Sequence, residues 1–90
     1  MKPLRWTAHA LASLAEREID RAEADRTVAV PDRITAGHGG RQLLLRRYQD
    51  ALLQQPMLLC VVAEDQPAEL VIVTLYKTSK LDKYLERSAP

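Results

Sequence analysis

Apolar positions follow two rhythms along this chain, helical in the first third and strand-like afterwards. At about 100° per residue, Ala8, Leu11, Ala12, Ala15 and Ile19 share one stripe, while His9, Ser13, Glu16 and Arg17 lie on the other side. The pattern predicts a first helix over Ala8 to Ile19, with Thr7 as its N-cap and Trp6 closing a short initial strand. Asp20 followed by Glu23 reads as a variant capping box that opens a second helix from Arg21 to about Val30, ended by Pro31. That helix offers only Ala22, Val28 and Ala29 for burial, so the two helices are expected to form a hairpin resting on a sheet.

After Pro31 the period shortens to two. Arg33 to Thr35, a turn at Gly37 to Gly40 and a strand from Arg41 to Tyr48 predict a β-hairpin with a glycine-rich tip. Gln49 to Pro56 reads as an irregular loop. Met57 to Ala63 is an unbroken apolar run of strand length, as in a central strand buried on both faces. A turn at Asp65 to Ala68 leads to a strand over Glu69 to Lys77, whose alternation sets Leu70, Ile72, Thr74 and Tyr76 against Val71, Val73, Leu75 and Lys77. Ser79 caps a short last helix from Lys80 to Arg87. Helices followed by strands read as consecutive antiparallel pairs predict an α+β domain: an N-terminal helical hairpin on a three- or four-stranded antiparallel sheet, with a short C-terminal helix.

Length and composition narrow the class without naming a function. Ninety residues make a single domain spanning the whole chain, and 47% hydrophobic with 28% charged residues excludes a disordered or low-complexity chain. One cysteine, Cys60, cannot close an internal disulfide and lies inside the apolar run, where it reads as core. That run is far shorter than the roughly 20 residues that span a bilayer, and Met1-Lys2-Pro3 leads into no secretory hydrophobic stretch, so a cytoplasmic protein with no membrane partner is expected. The net charge is only +1, but it is unevenly placed. Glu16 to Asp32 carries six acids against three arginines, whereas Arg33 to Tyr48 carries four arginines and no acid. Such polarity suits a polyanion or a partner of opposite charge.

Motifs for zinc hydrolysis and for a P-loop are absent, so no metal and no cofactor are called for. Gly37-His38-Gly39-Gly40 precedes a strand and not a helix, which makes it a hairpin turn before a phosphate cradle. His9 is a candidate for proton transfer, a common role of imidazole side chains; its structural alternative is a hydrogen bond to a strand carbonyl. Arg41, Arg46 and Arg47, with Tyr48, Tyr76 and Lys77, are residue types that hold a phosphodiester or, read plainly, keep a sheet edge soluble. Alternation places Arg41 and Arg47 on one face and Arg46 with Tyr48 on the other.

The run Trp6-Thr7-Ala8-His9-Ala10 through Arg17, Ile19 and Asp20, then Val30-Pro31-Asp32 and Val73-Thr74-Leu75-Tyr76-Lys77, resembles the bacterial family called domain of unknown function 4258. Thr7, His9, Ala10, Arg17, Ile19, Pro31, Val73, Thr74 and Tyr76 stand where that pattern has them. The chain departs at Ser13, where arginine is common, and at Glu18, where glycine is usual. At one further remove the family is similar to RelE/ParE-like toxins, which pack a helical hairpin on an antiparallel sheet. That resemblance implies a toxin-like RNA-binding protein or metal-independent ribonuclease, with RNA or the ribosome as target and an antitoxin protein as partner. His9 and Tyr76 would then be the catalytic candidates, and Arg17, Arg41, Arg47 and Lys77 would hold the substrate. The alternative is a non-catalytic interaction or homodimerisation domain, which the apolar strands and the low net charge suit.

Overall fold

The structure, a computed structural model, describes residues 2–81. The order of elements is β1 (Leu4–Trp6), α1 (Ala8–Glu16), α2 (Arg21–Ala29), β2 (Arg33–Ala36), β3 (Gln42–Asp50), β4 (Gln55–Asp65) and β5 (Leu70–Thr78). Five strands form one sheet in the order β1-β5-β4-β3-β2. The last four are antiparallel neighbours in sequence, but β1 pairs parallel to β5, Leu4 opposite Leu70 and Trp6 opposite Ile72. The sheet is therefore mixed and five-stranded, which corrects the expected three- or four-stranded antiparallel one. Hairpin patterns reveal antiparallel neighbours; a parallel pair needs a long crossover, and here nearly the whole domain supplies it.

The helices also pack differently from the expected hairpin. Each lies on the sheet, α1 along β5 and α2 on β3 and β4. In α1 the buried residues are Ala10 and Ser13, while Leu11 stays 46% exposed and His9 is exposed. Of the stripe drawn from periodicity only Ile19, beyond the helix end, is buried; Ala8, Leu11, Ala12 and Ala15 are turned outward. β1 is short and leaves the rest of β5 with an open edge, and α1 fits against that edge through its small residues. Ser13 Oγ donates to the His9 carbonyl oxygen at 2.9 Å and lies 3.2 Å from Thr74 Oγ1. Arg17 donates to the Leu75 carbonyl oxygen. In α2, Ala24 and Thr27 are fully buried with Val28 packed beside them, in place of the expected Ala22 and Ala29.

Both N-caps are as the sequence predicts. Thr7 Oγ1 accepts from the Ala10 N–H at 3.0 Å, and Asp20 Oδ1 accepts from the Ala22 N–H at 2.9 Å. α1 ends in a Schellman motif: the Ile19 N–H donates to the Leu14 carbonyl at 2.9 Å and the Glu18 N–H to the Ala15 carbonyl at 3.3 Å. Glu18 carries the left-handed φ of 52° that this motif demands, which accounts for the glycine usual at its place in the resembling family.

β4 has the two-sided burial its apolar run predicts. Met57, Leu59, Val61 and Ala63 join Leu44, Tyr48, Ile72 and Leu75 beneath the helices, and Leu58 and Cys60 pack with Leu45, Leu43, Tyr76 and Leu81 on the opposite face. In β5 strict alternation fails. Val62 faces Thr74 and Ala63 faces Ile72, so Val73 is the extra residue of a bulge, and Leu75 and Lys77 return to the face of Ile72. The segment read as an irregular loop is instead strand, a tight turn over residues 51–54 and strand again. The turn is closed by the Gln54 N–H on the Asp50 carbonyl at 2.8 Å. Apart from Lys80 and Leu81, the expected last helix lies outside the described residues. Among the described residues no helix is long and apolar enough to cross a membrane.

Replacing Glu18 by glycine relieves the left-handed cost of a side chain and stabilises the fold by about 1 kcal/mol. Urea unfolding checks this: the midpoint rises while the slope stays the same.

Candidate functional site

The bulge at Val73 sets Lys77 on the helix side of the sheet, facing the end of β3. There Tyr48 and Asp50, two residues apart, point to the same side. The Lys77 ammonium donates to Asp50 Oδ2 at 2.8 Å and to the Glu18 carbonyl oxygen at 2.9 Å. The Tyr48 hydroxyl donates to the same Asp50 oxygen at 2.9 Å, and the Leu52 and Leu53 N–H groups each donate to Asp50 Oδ1 at 3.0 Å. The side chains of Asp50 and Lys77 keep only 5% and 13% of their exposure.

The Lys77 ammonium first, then the Leu53 N–H, hold the Asp50 carboxyl well below the usual carboxylate range. Burial first, then the neighbouring Asp50 carboxylate, push the Tyr48 phenol well above its ordinary value. Asp50 is thus ionised and Tyr48 protonated at neutral pH. Neither is poised to exchange a proton there, and every bond around the carboxylate is already made. The network fastens the β3–β4 turn, the end of β5 and the junction between the helices.

Beside it opens a cleft of about 300 Å³ lined by Glu18, Ile19, Asp20, Glu23, Tyr48, Asp50 and Leu52 among others. Its rim is acidic. Glu23 does not complete the capping box seen in the sequence; its carboxylate takes Arg46 at 2.8 Å and Arg26 at 3.3 Å. Such a rim repels phosphate. Among the described residues no group of three or more His, Cys, Asp or Glu side chains is placed to hold a metal ion.

The six residues singled out in the sequence do not converge. His9 stands on the exposed side of α1, Arg17 is tied to the edge of β5, and Lys77 is engaged by Asp50. Tyr76 lies on the other face of the sheet, opposite Cys60 in register and packed with Leu45 and Leu58. Arg47 shares that face by alternation with Leu45. Arg41 reaches Glu64 of β4 at 3.9 Å. The shared parity of Arg41 and Arg47 therefore becomes a shared surface, and it is Tyr76 that accompanies them, while β4 and β5 separate them from His9 on α1.

Arg33 is the member of this face not included among the sequence candidates. It pairs with Leu45, the residue two before Arg47, so the hairpin register brings both arginines to one side. Counting that register from the glycine turn would have found it. The Arg47 N–H donates to Asp32 Oδ2 at 2.8 Å, and its guanidinium makes no ion pair among the described residues. Asp50 is not a sequence candidate, and Tyr48 is one only as a phosphodiester contact, for a different reason: Lys77 reaches Asp50 only because of the bulge.

Residues 6–77 match the model of a family described as Domain of unknown function (DUF4258). No curated protein and no solved structure matches the chain.

Lys77→Met strands a buried carboxylate and lowers stability by about 3 kcal/mol or more. Asp50→Asn gives the complementary result in pH. Because the folded carboxyl lies below its unfolded value of about 4, its contribution is complete above that pH and is lost as pH falls further. The acid limb of a stability profile measured by thermal unfolding is accordingly flatter in Asp50→Asn than in the parent.

Proposed function

The chain belongs to the DUF4258 family, and from that premise we propose that it is a small cytoplasmic, toxin-like protein that binds RNA through the arginines at the hairpin margin of the sheet face opposite its helices. The observation that carries this reading is that the register sets Arg33 diagonally beside Arg47 on that side of the β2–β3 hairpin, with Arg41 at the turn end of the same side, away from the acidic cleft beneath the helices. Folding turns part of the charge asymmetry along the chain into one across the sheet, with the acid Glu64 sharing the arginine side. A net charge of +1 then understates the local potential that a phosphodiester meets.

Guanidinium groups suit this ligand because their planar donors match phosphate oxygens. Tyr76, half-buried among the apolar residues of the same face, offers an aromatic ring beside them. The toxin-like part of the reading, with the ribosome as a site of action and an antitoxin as a protein partner, rests on the sequence resemblance alone, because the mixed five-stranded sheet does not reproduce a helical hairpin on an antiparallel one. Binding, and not cleavage by His9, is the core of the reading, since the imidazole sits on α1 with two strands between it and the arginines.

Arg33→Ala and Arg47→Ala weaken binding to single-stranded RNA, and each lowers the slope of log affinity against log salt by roughly 0.7. His9→Ala leaves both affinity and slope as in the parent. Fluorescence anisotropy at several salt concentrations measures all three. Affinity indifferent to salt, or to both arginines, overturns the reading.

A further inference from the structure

The outer side of α1 is not explained by the fold of one chain. Leu11 is 46% exposed there, and Ala8, Ala12 and Ala15 are exposed around it, so an apolar face points away from β5. The charges of α1 are equally out of place. Its first turn holds no acid and its last turn no base, while Glu16 stands at the C-terminal end, where a carboxylate meets the negative pole of its own helix. Among the described residues Glu16 makes no ion pair and the His9 imidazole no hydrogen bond. Seven residues separate the two, close to two full turns, so they lie on one flank of the apolar face.

We infer that α1 packs antiparallel against α1 of a second copy of this chain, about a twofold axis beside Ala12. The choice of occupant follows from charge complementarity. A twofold axis perpendicular to two antiparallel helices keeps each flank on its own side, so the flank of His9 and Glu16 meets the same flank of the partner running the other way. His9 of one copy then stands within one residue's rise, about 1.5 Å, of the level of the partner's Glu16. The imidazole N–H donates to that carboxylate, and symmetry makes the contact twice. The carboxylate also comes to lie over the partner's first turn, where helix N–H groups favour negative charge. Glu16, misplaced for its own helix, is well placed for an antiparallel copy. A parallel neighbour would instead set both carboxylates beside two negative poles. Ala8, Ala12 and Ala15 let the backbones approach closely, and the two Leu11 side chains cover one another on the opposite flank. The contact lies on the β1–β5 side of the sheet, away from the arginines of the hairpin, and does not depend on RNA being their ligand.

Sedimentation equilibrium of the parent, carried to millimolar concentration because one nine-residue helix makes a small contact, is expected to show a monomer–dimer equilibrium. Leu11→Asp leaves a monomer with unchanged circular dichroism. Glu16→Lys weakens the dimer roughly tenfold without harming the fold, since lysine suits the C-terminal end of α1. Adding His9→Glu to Glu16→Lys restores association, because the pairs are rebuilt with their signs exchanged. Orientation is read by cross-linking. Under mild oxidation Ala12→Cys, beside the axis, forms an intermolecular disulfide. Ala8→Cys does not, since its two copies stand about 12 Å apart along the helices at about 1.5 Å per residue. Cys60 is fully buried and does not compete. A parent that stays monomeric at millimolar concentration, a dimer that survives Leu11→Asp, a double variant no tighter than Glu16→Lys, or equal cross-linking at both cysteines overturns the proposal. So does a monomeric parent whose α1 takes up an added alanine-rich amphipathic peptide of unrelated sequence instead.

Discussion

A carboxylate buried at the end of β3 has to be answered from every side, and much of the domain is arranged to do so. Asp50 meets Lys77 from β5, the Tyr48 hydroxyl from its own strand and two backbone N–H groups from the turn that follows. Lys77 in turn takes the carbonyl of Glu18, at the junction between the helices. One ion pair thereby joins elements distant in sequence. An unpaired charge in that position would cost several kcal/mol, so the turn, the strand end and the helix junction hold their places together.

The bulge in β5 makes this meeting geometrically available. With Val73 set aside, Ile72, Leu75 and Lys77 share a side of the sheet. Thr7 sits at the same irregularity: its hydroxyl lies 3.1 Å from the carbonyl oxygens of both Ile72 and Val73 while it caps α1. A single residue thus ends β1, starts α1 and engages the bulged backbone. Trp6, the residue before it, carries the Arg21 guanidinium 4.0 Å from its ring centroid, which links the start of α2 to the same corner.

The division of charge follows from the layers. Carboxylates from the helix junction and α2 surround the cleft on one side, while arginines of the hairpin reach the other. Arg46 shows the rule by exception, since its parity sends it under the helices, where Glu23 takes it. The arginine face was partly legible from alternation alone, through Arg41 and Arg47; Arg33 needed the hairpin register as well. The Asp50 network was not legible. Its residues lie 27 positions apart, and simple alternation placed Lys77 on the same face as Leu75 but apart from Ile72.

Local chemistry by itself determined the caps at Thr7 and Asp20, the stop at Pro31, the two-sided burial of β4 and the membership of a family, because each depends on near neighbours or on an unbroken run. Folding in three dimensions decided which side of α1 faces inward, since a helix of alanines presents little contrast and its contact was chosen by the open edge of β5. It also decided that β1 would pair with a strand from the far end of the chain. A period of 3.6 or of 2 says which residues lie together on one element; it carries no record of which element will lie beside it.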